Sequence, residues 1–162
     1  LGERAECATT LNLSQILMEL SPMNRMKYRR REPSHLLLVE PNQPDAHWFE
    51  IMLEEAGLPT GTFYYSTGIA ALAAWRAGKL ASIDAVVVSE RLPMLTIPEF
   101  VRGVRAVDPD VPIVVVGESL PPFSPLPSGC RRFAKPLSKR DVGAFWHVVC
   151  GRRHRSEQKR VA

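Results

Sequence analysis

Four positions in this chain stand where apolar runs give way to loops. Glu40 follows Leu36-Leu37-Leu38-Val39, Ser89 follows Ala85-Val86-Val87-Val88, Gly117 follows Ile113-Val114-Val115-Val116, and Lys135 follows Arg131-Arg132-Phe133-Ala134. A carboxylate and an ammonium brought to one cleft can bind an anion, help hold a cation, or neutralise each other. A serine attacks only when a neighbouring base takes its proton, and Ser89 has no adjacent base in sequence that would activate it. The four histidines (His35, His47, His147, His154) share no metal-ligand spacing, and the three cysteines (Cys7, Cys130, Cys150) lie far apart with no CxxC. They read as surface or boundary histidines and as free thiols of a reducing, cytoplasmic compartment.

Chemistry at those positions needs strands to deliver it. Asp84 to Pro93 opens on an acid, runs through four aliphatics and ends in a polar loop, the pattern of a strand buried on both faces of a parallel sheet. His35 to Val39 and Val111 to Val116 read the same way; Thr62 to Tyr65 and Arg131 to Ala134 make two weaker strands. Helices fall between them. Phe49, Met52, Leu53 and Ala56 give one apolar face, with Asn42 as candidate cap, Pro44 in the first turn and Gly57 as the stop. Ser66 or Thr67 caps an Ala-rich helix that Gly78 closes, and Thr96 with Glu99 spells a capping box. Ser138 and Asp141 open a last helix with the stripe Val142, Phe145, Trp146 and Val149, while Trp48, Trp75 and Trp146 read as core or boundary packing. Residues 117–130 hold Pro121, Pro122, Pro125 and Pro127; an interior proline costs a helix ~3 kcal/mol, so a loop with at most one short turn is expected. Alternating strands and helices predict an α/β doubly wound, five-stranded parallel sheet.

The 162 residues carry a net charge of +4, unevenly distributed. Residues 35–150 hold 10 Lys/Arg against 12 Asp/Glu, whereas 1–34 hold 6 against 4 and 151–162 hold 5 against 1. Three segments follow: an N-terminal extension over 1–34, a folded body over 35–150, and a basic tail over 151–162. Leu13, Ile16, Leu17 and Leu20 fit a short amphipathic helix, whose alternative use is docking or homodimerisation. Arg25 to Arg31 holds five basic residues, a solvated linker by default, and Met26 is a candidate native start. No apolar window is long enough for a membrane span, and no signal peptide is evident.

Five segments, in order and spacing, resemble the receiver domain of two-component response regulators over about residues 35–150. They are Leu36 to Glu40; Leu53-Glu54-Glu55-Ala56-Gly57; Asp84 to Ser89 with Leu92-Pro93; Pro112 to Val116; and Phe133-Ala134-Lys135-Pro136. The resemblance implies the flavodoxin-like strand order 2-1-3-4-5, with the fourth helix shortened or replaced by the Pro-rich stretch. It also implies a phosphoryl pocket: two acids after the first strand and one after the third for Mg²⁺, a hydroxyl after the fourth, a lysine after the fifth. This chain departs from that set. Glu40 keeps the first acid but Pro41 replaces its neighbour, Ser89 stands at the acceptor aspartate, and Gly117 stands at the hydroxyl. Lys135 and Pro136 remain, the latter often following a cis peptide in the family. Arg132 takes the usually aromatic switch position. Glu90 replaces Ser89 as acceptor only if the strand shifts by one residue, which exchanges its two faces.

The resemblance therefore implies a degenerate pocket in which Glu40 and Lys135 pair, with no catalytic residue, metal or cofactor. The expected function is a non-enzymatic signalling module that acts through an unidentified protein partner. The alternative is a nucleic-acid-associated regulator whose basic tails bind phosphates nonspecifically around an inert body.

Overall fold

The structure, a computed structural model, describes residues 34–58, 60–80, 82–118 and 125–147. Expectations for the N-terminal helix, the 25–31 basic run, Val149 and the C-terminal tail lie outside those residues. Strands β1 (Ser34–Val39), β2 (Thr60–Tyr65), β3 (Ala85–Ser89), β4 (Ile113–Gly117) and β5 (Cys130–Ala134) form one sheet in the order β2-β1-β3-β4-β5. All four pairings are parallel, with Leu37 opposite both Phe63 and Val86, Val88 opposite Val115, and Val115 opposite Arg132. Helices α1 (Gln43–Glu55), α2 (Gly68–Arg76) and α3 (Ile97–Val107) follow the first three strands, and α4 covers residues 139–147.

Period-two alternation explains the sandwich. Leu37, Val39, Val86, Val88, Ile113 and Val115 point to one face and pack against Ala71, Leu72 and Trp75 of α2 and Phe100, Val101 and Val104 of α3. Their sequence neighbours Leu36, Leu38, Val87, Val114 and Val116 point to the other, against Phe49, Met52 and Leu53 of α1 and Val142, Phe145 and Trp146 of α4. Each fully buried aliphatic stabilises the fold by about 1.5–3 kcal/mol over its exposed state, so the three central strands anchor both layers.

The ends of the elements are set locally. Thr67 Oγ1 accepts from Ala70 N at 3.2 Å, and both halves of the Thr96–Glu99 capping box form. Ser138 and Asp141 cap α4 reciprocally, at 2.9 and 3.2 Å. Helices α1 and α2 are each followed by a glycine with left-handed backbone, Gly57 and Gly78 (φ 65 and 70). Three expectations need correction. Asn42 precedes α1 without a side-chain cap bond, because its own N–H is drawn to Glu40 Oε1 at 2.9 Å. Strand β4 begins two residues later than the apolar run and includes Gly117, since Pro112 has no N–H to give the ladder. Trp48 is 48% exposed, because it falls off the Phe49-Met52-Leu53 stripe that α1 buries. Residues 125–129 contain no helix, so the described part of the Pro-rich stretch is a loop and turn. No described helix is long and apolar enough to cross a membrane.

Candidate functional site

The sheet carries Glu40, Ser89 and Lys135 to one cavity of about 280 Å³ at its carboxyl edge. Lys135 leaves β5 across a cis Lys135–Pro136 bond, its N–H donating to Gly117 O at 2.8 Å. Its ammonium donates to Glu40 Oε2 at 2.8 Å and to Asp45 Oδ2 at 2.6 Å. Burial opposes the charge on Lys135, but the hydrogen bonds and charges of Asp45 and Glu40 outweigh it and raise its pKa above the ordinary lysine value. Glu40 is held in turn. Its Oε1 accepts from Asn42 N, its N–H donates to Tyr65 O, and its carbonyl accepts from the Tyr64 hydroxyl at 3.0 Å.

Asp45 has no counterpart in the sequence reading, which looked for a second acid beside Glu40 and found Pro41. It reaches Lys135 from the first turn of α1, where an acid also suits the helix dipole. Pro44 at the start of a helix so soon after a strand end was the available signal. Pro41 itself is exposed and takes no part.

A second ion pair lies on the other side of the β3 end. Arg132 Nη2 donates to Glu90 Oε2 at 2.6 Å, with only 12% and 9% of the two side chains exposed. Gly117 makes this pair possible: a Cβ there would stand 2.0 Å from Glu90 Oε2 and 2.9 Å from Arg132 Nη2. The carboxylate of Glu90 therefore fills the space that any side chain at 117 needs. Ser89, opposite Val116, ends β3 facing the cavity, while Glu90 turns away toward Arg132. Sequence reading tied neither Glu90 nor Arg132 to the other, because 42 residues separate them.

These donors do not fit Mg²⁺. Octahedral coordination wants several free oxygens, yet both carboxylates nearest the cavity floor are engaged by Lys135, and the third acid of the lining, Glu118, is 58% exposed and faces Arg91. Among the described residues no group of three His, Cys, Asp or Glu side chains could hold a metal ion.

No protein-family model and no curated protein matches the chain. Solved structures do. A response regulator receiver domain (CheY-like) from Methylobacillus flagellatus superposes with a TM-score of 0.61 at 20% identity, covering 73% of this chain and 99% of that one. The fold is that of a receiver domain. The receiver domain of a sensor histidine kinase from Pseudomonas aeruginosa PAO1, with a magnesium ion coordinated in its active-site cleft, gives 0.57 at 23% identity, covering 70% and 93%. A response regulator receiver protein from Sinorhizobium medicae gives 0.58 at 21%, covering 75% and 98%. The receiver-like body extends over nearly the whole length of each neighbour, and the strand order expected from the sequence is the one observed.

Proposed function

We propose that this chain is a receiver-type signalling module that does not take a phosphoryl group and acts by contact with another protein. One observation carries the reading: Lys135, the cation a receiver uses to neutralise a phosphoryl group, is already bonded to two carboxylates, Glu40 and Asp45. An incoming phosphate would have to displace them from a partly buried site, leaving carboxylates and phosphate to repel one another. The other requirements point the same way. Ser89 offers a hydroxyl where a carboxylate acceptor is needed, and the Glu90–Arg132 pair closes the volume above Gly117.

The test is the response of the full chain to acetyl phosphate and MgCl₂, read by ¹H–¹⁵N correlation spectra and by light scattering. The expected result is an unchanged spectrum and an unchanged oligomeric state. A phosphodonor-dependent change in either would overturn the proposal.

A further inference from the structure

The cavity that lost its anion chemistry is not featureless. Glu40, Asp45 and Glu118 line it against a single cation, Lys135. Glu40 is 7% exposed and fully engaged, but Asp45 and Glu118 keep 36% and 58% of their side chains open to solvent. Arg91 reaches Glu118 only at 3.8 Å, with both side chains mostly exposed, a geometry that neutralises little. The lip is therefore acidic.

Two further observations point to an occupant. Ser89 is 6% exposed and lines the cavity. A hydroxyl in a cavity wall can donate to or accept from a polar atom that enters. Trp48 stands at the same cavity with 48% of its surface exposed, an aromatic face that stabilises a cation. Between them the walls are apolar, formed by Leu38, Val87 and Val116.

From these features we infer that the cavity receives an arginine side chain of a protein partner. This deepens the protein-contact reading and rests on it. The size suits one long side chain. At about 280 Å³ the cavity lies at the lower end of the ~300–1,000 Å³ of typical small-molecule sites. Arginine fits better than lysine. Its methylene stem lies along the apolar walls, and its planar guanidinium faces Trp48 while its fork of donors serves Asp45, Glu118 and the Ser89 hydroxyl together. Lys135 does not repel it strongly, because two carboxylates already surround that ammonium.

The probe is N-acetyl-arginine methylamide, titrated into the full ¹⁵N-labelled chain. Saturable shifts are expected at the Trp48 indole N–H and at the Ser89 and Glu118 amides, weakening as salt is added. The uncharged citrulline analogue is expected to bind about tenfold more weakly, the equivalent of one lost charge-assisted contact. Asp45→Asn and Trp48→Ala are each expected to weaken the arginine probe by about threefold to tenfold, while Lys139→Ala, on an exposed pair with Glu55, leaves it unchanged. Equal binding of citrulline, shifts confined to residues outside the cavity, or binding of inorganic phosphate there would each overturn the inference. Binding of butylammonium but not of the arginine probe would overturn it as well, assigning the cavity to a free amine. Loss of the arginine effect with no phosphodonor response removes this inference alone. A phosphodonor response removes the function on which it rests.

Discussion

Gly117 and Glu90 exclude each other's alternatives, and that exclusion is measurable. A methyl group at 117 meets the Glu90 carboxylate at 2.0 Å, so Gly117→Ala should push the ends of the Glu90 and Arg132 side chains aside and cost about 1–3 kcal/mol in chemical denaturation. In a Glu90→Ala background only the end of Arg132, 2.9 Å away, still has to shift, and the same substitution should cost under about 1 kcal/mol. Equal costs in the two backgrounds would show that the carboxylate does not occupy that volume. Lys135 gives a second prediction. Lys135→Met leaves Glu40 and Asp45 without their cation and should destabilise the fold by about 2–3 kcal/mol near neutral pH. The pKa of Lys135 is raised, so the stability its charge supplies is complete below the unfolded value of 10.5 and is lost as pH climbs through the higher folded value. The gap between wild type and Lys135→Met should stay level up to about that pH and then narrow; a gap that widens with alkali would contradict the pairing. The Glu40–Lys135 contact was legible from the five matched segments. Asp45 was not, because its approach depends on where the first turn of α1 lands after Pro41.

Among the elements, legibility followed the strength of the local signal. The runs Leu36–Val39, Ala85–Val88 and Ile113–Val116 place their side chains on alternate faces, and both layers of the core grow from them. The capping boxes of α3 and α4 were also readable, since each is a Ser/Thr with an acid three residues on. Asn42 misled because residue type alone favours a cap; the nearby Glu40 carboxylate competes for its backbone instead. Trp48 misled because aromatic residues on helices are usually covered, whereas the stripe of α1 passes beside it. This contrast carries a prediction. Thr96→Ala should cost about 1 kcal/mol, the ordinary worth of an N-cap, while Asn42→Ala should cost only a few tenths. Thermal unfolding of the two variants distinguishes them, and a similar loss in both would mean that Asn42 caps α1 after all.

At the scale of the molecule, the fold is that of a receiver domain, and the charged side chains at the carboxyl edge of its sheet are paired with one another. The sheet order and the delivery of strand ends to one edge are intact, so the fold was legible from periodicity and the five segments together. What the edge holds is charge already paired: Lys135 between Glu40 and Asp45, and Arg132 on Glu90. Those pairings link residues 42 to 95 positions apart, beyond the reach of any local pattern. In the proposed function they form a permanent arrangement whose open wall, near Trp48 and Ser89, meets a protein partner. The central claim is that no phosphoryl group enters. Intact-mass spectrometry of the chain after incubation with acetyl phosphate and MgCl₂ tests it most directly. An unmodified mass is expected, and a stoichiometric gain of one phosphoryl group would show that the pocket takes it.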